Sequence, residues 1–227
     1  MTTFIKSSPP TSESELMDRC RNLSGISFAQ LAHRVGVSFP ENPSHRKGYI
    51  GLMLELALGC DAGNESAPDF SGLGVELKTI PIAASGSPAE STFVSSIPLL
   101  TIHQQTWKTS QCYAKLKRVL WIPVEGDKSI PFSQRRVGNG ILWSPTSSQE
   151  ATLEEDWTYL TDKIIAGDLE SLDASVGTYL QVRPKAANGK SLSYCYDAKG
   201  NKVQTLPRGF YLRTQLTSSV LALENVL

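Results

Sequence analysis

The chain has 227 residues, 40% hydrophobic and 19% charged, with 22 Lys+Arg against 22 Asp+Glu. That composition suits a globular protein of one generous domain or two lobes, and excludes a disordered, collagenous or disulfide-stapled chain. Zero formal net charge at pH 7 also excludes a uniformly basic nucleic-acid binder, so any anion binding must come from local clusters.

In chain order, the polar lead SSPPTSES ends in a helix start, because Ser12 followed by Glu15 forms a capping-box pattern just before Leu16. The spacing predicts helices over 12–22, over 28–35 and, after the Pro40–Pro43 break, through GYIGLMLELALG to about Gly59. The third helix is apolar on most of its circumference and is expected to be buried, which leaves Glu55 in its middle as a carboxylate needing a partner or a metal. GVELKTIPI, STFVSSIPL and RVLWIPVEG then read as strands, with ILWSP as a shorter one. Leu153, Trp157, Leu160, Ile164 and Ile165 predict a long amphipathic helix over 147–167. TYLQVRP and RGFYLR read as strands on either side of a polar segment with a turn at DAKGNK, and the last dozen residues as a closing helix. The expected class is α/β, an N-terminal helical portion followed by a mixed sheet with flanking helices. Four widely spaced cysteines offer no zinc knuckle or CxxC pair, and no apolar run approaches membrane-spanning length, so a reduced, cytoplasmic chain with no membrane role is expected.

Charge is unevenly placed. Residues 150–173 hold eight acids and one lysine, whereas residues 183–213 hold seven basic residues and one acid. Lys108, Lys115, Lys117 and Arg118 form a smaller basic cluster. These are either solvated faces or the poles of a polarised molecule.

The segment PDFSGLGVELK carries the chemistry. Asp69 precedes a strand, and Glu76 and Lys78, two residues apart on it, share one face. Gly72 and Gly74 would permit a turn bringing Asp69 beside them. Two carboxylates beside one ammonium suit phosphodiester hydrolysis: the acids hold a hard divalent cation such as Mg²⁺, which offsets phosphate charge and acidifies water, and the lysine orients that water. The alternative is a structural strand with a surface ion pair. Asp197-Ala198-Lys199 fits half of the same pattern but sits in the turn-like DAKGNK. Glu55 adds a possible supporting acid, or a core glutamate bonded to backbone.

RKGYIGLMLELALG, PDFSGLGVELKTIPI, STFVSSIPL, KLKRVLWIPVEG, SIPFSQRRVG, LQVRPKAAN and TLPRGFYLR, in this order, resemble segments of the MutH family of methyl-directed mismatch-repair endonucleases. The resemblance covers nearly the whole chain. It implies a restriction-endonuclease-like fold, with residues 1–227 forming one endonuclease domain whose two lobes flank a DNA cleft. It further implies Asp69 and Glu76 as Mg²⁺ ligands (Mn²⁺ or Ca²⁺ can substitute for binding), Lys78 as the catalytic lysine and Glu55 as a supporting carboxylate. Lys47 and Lys115 match family lysines near the scissile phosphate. Arg183-Pro184-Lys185 matches a major-groove reading loop, Phe93 an aromatic against the DNA stack, and Tyr211 a sensor of adenine methylation. The implied activity is nicking of the unmethylated strand of hemimethylated GATC, 5′ to the G, leaving a 5′-phosphate, with activation by MutL in response to MutS. A stand-alone GATC restriction enzyme and a catalytically dead, methylation-sensitive DNA-binding module are the rival readings.

Overall fold

The computed structural model describes residues 5–40, 48–62, 67–185 and 191–223. The chain divides into two compact units: residues 1–90, 118–143 and 218–227 form the first, and residues 91–117 and 144–217 the second.

The first unit begins with helices α1 (Glu13–Leu23), α2 (Phe28–Arg34) and α3 (Tyr49–Leu58). Ser12 caps α1 by accepting from the Glu15 amide, but the Glu15 carboxylate departs from the capping-box expectation, turning to the Thr11 amide and hydroxyl and to Arg19. Ser27 and Gln30 close a full capping box on α2. Arg19 ties α1 to the end of α3, donating to the Leu58 carbonyl at 2.8 Å and to Ser8 at 2.6 Å. Such a bond satisfies a carbonyl that a helix end leaves without an intrahelical partner.

Beside these helices lies a three-stranded sheet in the order β1 (Glu76–Ile82), β3 (Val119–Glu125), β4 (Ile141–Trp143), with β1 and β3 parallel and β4 antiparallel to β3. Phe28, Leu31, Met53, Leu54, Leu58, Phe70, Val75, Leu120 and Ile122 form its core. Each such burial contributes roughly 2 kcal/mol.

In the second unit, β2 (Thr92–Ser96), β8 (Arg208–Leu212) and β5 (Leu180–Pro184) form an antiparallel sheet in that order, and β6 (Ser193–Tyr196) and β7 (Lys202–Thr205) make a two-stranded ribbon. The mixed sheet expected from sequence is β1–β3–β4, and the remaining strands pair into two further, antiparallel sheets. The reason is the crossover that a parallel pair requires: the chain between β1 and β3 carries β2, which pairs with β8 instead. The second unit also contains the short α4 (Gln111–Ala114) and the long α5 (Ser147–Ile165), whose buried stripe of Leu153, Trp157, Leu160 and Ile164 matches the predicted periodicity. Helix α6 (Thr214–Leu221) starts earlier than expected, and the boundary between units falls within it.

Candidate functional site

The acid–lysine cluster is built by a tight hairpin and the strand that follows it. Phe70 and Val75 exchange backbone hydrogen bonds, and between them Gly74 takes a left-handed φ of 66°, so this glycine rather than Gly72 makes the turn. The hairpin folds Asp69 back onto β1, where its Oδ2 accepts from the Leu77 amide at 2.8 Å. On β1, Lys78 Nζ donates to Glu76 Oε1 at 3.2 Å, and both side chains are buried, at 7% and 5% exposure. The parallel partner β3 flanks them, with Glu76 opposite Val119 and Lys78 opposite Trp121. Glu76 and Lys78 thus form a buried ion pair on one strand face, which removes the surface-pair alternative. Withdrawing one member of such a pair typically costs about 3–5 kcal/mol, because the other charge is left uncompensated.

Glu55 is not where its helix pattern placed it. The helix α3 buries Tyr49, Met53, Leu54 and Leu58, whereas Leu52 and Glu55 are exposed. The expected all-round burial fails because a helix this short packs one side, and positions 52 and 55 lie on the other. Glu55 still belongs to the same neighbourhood. Burial pushes the Cys60 thiol up, and the charges of Asp69, Glu55 and Glu76 push it further, so one buried sulfur lies within electrostatic reach of all three carboxylates.

This concentration of oxygen donors fits a hard divalent cation. No group of three His, Cys, Asp or Glu side chains is gathered closely enough to hold a metal by itself among the described residues. Mg²⁺ does not require one, because it retains several waters and binds through one or two carboxylates together with substrate phosphate. A protonated Cys60 offers no competing thiolate.

A residue overlooked in the sequence completes the arrangement. The Asp61 and Ala62 amides donate to the Asp69 carbonyl at 2.9 and 3.2 Å, while the Asp61 carboxylate accepts from the Ser71 amide at 2.7 Å and its hydroxyl at 2.8 Å. Asp61 thereby clamps the chain on both sides of Asp69. The Ser71 amide holds the Asp61 carboxyl below its ordinary range. The sequence offers no signal for this pairing, since Asp61 and Ser71 meet only through the fold.

The second unit gathers the other candidates on one face of its sheet. Phe93 and Tyr211 are paired across β2 and β8, with ring centroids 5.3 Å apart in an edge-on arrangement. The Arg183 guanidinium lies 5.9 Å from the Tyr211 ring centre and donates to Ser91 Oγ at 2.7 Å. Lys185 Nζ sits 3.8 Å from the Phe93 ring centre and donates to Ser96 Oγ at 3.2 Å. Arg183, Pro184 and Lys185 are exposed. Three side chains from β2, β5 and β8, with Lys185 just past the end of β5, thus form an aromatic–cation platform, with Ser91 and Ser96 as supports that sequence reading did not find.

Elsewhere the structure redistributes the charge pattern. Lys115 is buried at 7% exposure where α4 ends, not a surface charge, and belongs to the second unit. Lys47 lies outside the described residues. Lys108 pairs with Glu150, and Arg118 makes a two-pronged contact with Glu13 at 2.8 and 2.5 Å, so the small basic cluster is not an open anion patch. Asp156, counted with the acidic run of α5, is buried and accepts from the amides of Thr178, Tyr179 and Leu180 at 2.6–2.8 Å. It anchors the chain entering β5, upstream of Arg183.

The mixed α/β arrangement of helices and sheets is that of the restriction-endonuclease-like fold class. Residues 58–156 match the family described as DNA mismatch repair enzyme MutH. The DNA mismatch repair protein MutH of Escherichia coli is 50% identical over 215 residues, covering 95% of this chain and 94% of its own. That of Vibrio campbellii is 48% identical over 212 residues, covering 93% and 94%. The chain belongs to the MutH family of DNA mismatch-repair endonucleases, and DNA is its partner. No described helix is long and apolar enough to cross a membrane.

Proposed function

We propose that the chain is a Mg²⁺-dependent endonuclease that nicks the unmethylated strand of hemimethylated GATC, 5′ to the G, under activation by MutL. The observation that carries this reading is the strand face on which buried Glu76 and Lys78 lie 3.2 Å apart, with Asp69 fastened to the intervening amide of Leu77. Asp69 and Glu76 would hold the cation, with Glu55 supporting the charge. When bound, the cation offsets phosphate charge and acidifies water. Lys78, held by Glu76 in a water-poor setting, orients the attacking water and stabilises charge that develops on the phosphate. Lys47 and Lys115 would contact the phosphate near the break. Release of a 5′-phosphate follows from displacement of the 3′ oxygen.

On the second unit, Arg183 and Lys185 offer donors to guanine O6 and N7, and Pro184 fixes the backbone between them. Phe93 offers an apolar face to a base. Tyr211, closely packed against Phe93, would leave no room for a methyl group on adenine N6. Local positive charge on an otherwise neutral chain favours modest nonspecific affinity with a steep salt dependence. An enzyme that must wait for MutL, and through it MutS, is served by such restraint.

The test is nicking of unmethylated, hemimethylated and fully methylated GATC duplexes with Mg²⁺, with and without MutL. The expected result is a single-strand nick on the unmethylated strand, stimulated by MutL and absent from fully methylated DNA. Unaided double-strand cutting would establish a restriction enzyme, and binding without cleavage a dead module.

A further inference from the structure

The ribbon β6–β7 contains the DAKGNK turn, which the catalytic reading leaves without a role. Its turn is closed by Asp197, whose carboxylate accepts from the amides of Lys199 and Asn201 at 2.9 and 2.8 Å and from the Asn201 side chain at 3.1 Å. Asp197 is the one acid between residues 191 and 205. With that carboxylate occupied in the turn, the ribbon's outer face carries no acid.

The register sets Tyr194 opposite Gln204 and Tyr196 opposite Lys202, so these four side chains share one face, and all are exposed. The tyrosines are 40% and 43% exposed. Lys202 Nζ lies 4.7 Å from the Tyr194 ring centre, and Gln204 Nε2 donates to the Tyr194 hydroxyl at 3.4 Å. The opposite face is anchored along β6: Cys195 is buried, although its partner Val203 on β7 stays exposed, and Gly167, beyond the end of α5, approaches the Asp197 backbone so closely that a Cβ there would come within 2.2 Å of it. The ribbon is therefore a fixed platform rather than a loose arm.

The ribbon is also tied through its backbone to the strands that carry the aromatic–cation face described above. The Lys185 amide donates to the Pro207 carbonyl at 2.8 Å, just where the chain leaves β7 for β8. We infer that the outer face of this ribbon, formed by Tyr194, Tyr196, Lys202 and Gln204, grips the sugar–phosphate backbone of duplex DNA beyond the recognition sequence. The inference rests on the DNA-reading role proposed for Arg183 and Lys185. Hydroxyl, ammonium and amide donors are the groups that phosphate and sugar oxygens accept from, and such contacts set position without reading sequence. An acid-free face that carries an ammonium complements polyanionic DNA, and a two-stranded ribbon is slim enough to follow a groove.

The experiment uses the full chain with Ca²⁺, which permits binding without cleavage. It measures affinity for two hemimethylated GATC duplexes, one ending just beyond the site and one a full helical turn longer on each side. Tyr194→Ala/Tyr196→Ala is expected to weaken the long duplex about tenfold while leaving the short one unchanged. Lys202→Gln, which keeps an exposed polar side chain, should lower the log–log salt slope on the long duplex by about 1. Wild-type binding of both duplexes by all variants would overturn the inference. Unchanged DNA binding with lost stimulation by MutL would also overturn it, making the ribbon a protein-docking face. If the parent chain shows no preference for GATC, the DNA-reading role fails and the ribbon inference falls with it; if the parent prefers GATC and the variants match it, only the ribbon inference falls.

Discussion

The two units hold their charged side chains in opposite ways. In the first, Glu76 and Lys78 are buried together on β1, and Asp69 is fastened by backbone amides. In the second, Arg183 and Lys185 stand exposed over Tyr211 and Phe93, each steadied by a serine hydroxyl. Burial strengthens an electrostatic interaction, and a group that stabilises developing charge acts best when it need not reorganise. Groups that read a groove must instead reach out of the protein while keeping a defined direction, which flat aromatic supports provide. The contrast predicts that variants of Asp69, Glu76 and Lys78 lose chemistry while keeping sequence preference, and that variants of Arg183 and Lys185 lose sequence preference while keeping chemistry.

That division breaks most visibly at Lys78 and Asp69. Lys78→Ala and Asp69→Ala should each reduce nicking of a GATC plasmid by about 10³-fold while gel-shift affinity for the same DNA is retained; a variant that nicks like the parent would remove its residue from the catalytic set. Next in size is Asp156, a carboxylate as buried as Glu76 but serving three amides. Asp156→Ala should cost about 3 kcal/mol in urea unfolding, with nicking per folded molecule unchanged. Lys185→Ala is expected to lose about 2 kcal/mol of preference for GATC over a scrambled duplex, read from paired binding curves, while residual nicking at GATC keeps its Mg²⁺ dependence. Asp61→Ala sharpens the first side of the comparison. If it positions Asp69, the Mg²⁺ concentration for half-maximal nicking should rise about tenfold with DNA affinity unaltered.

The smallest effect concerns pH. Bonds from the Thr11 amide and hydroxyl, with help from Arg19, lower the Glu15 carboxyl from 4.5 to about 2. A folded-state value below the unfolded one stabilises the protein above about pH 4.5, and that contribution drains away as pH falls toward 2. Glu15→Gln should therefore flatten the melting-temperature profile across that window, with a small loss relative to the parent above about pH 4.5 that vanishes as pH nears 2.

Much of the first unit was legible in the chain because its signals are local. The cap at Ser12, the strand from Glu76 and the shared face of Glu76 and Lys78 follow from spacings of two to four residues. Glu55 was misjudged for the complementary reason: an apolar composition reveals that α3 packs, but not how much of its circumference finds a neighbour. In the second unit, the resemblance singled out Arg183, Lys185, Phe93 and Tyr211 one by one. Their assembly into one platform depends on β8 lying between β2 and β5, a pairing across more than a hundred residues of chain.

The sequence by itself determined the element types, the family and the acid–acid–lysine set, because periodicity, caps and a short motif are carried by near neighbours. Only the tertiary structure decided that Asp61 clamps Asp69, that Asp156 is an anchor within an acidic run, and that Arg118 and Lys108 are already paired. Those outcomes turn on which distant groups share a desolvated space, and charge or hydrogen-bonding capacity acquires its meaning there from the partner rather than from the residue.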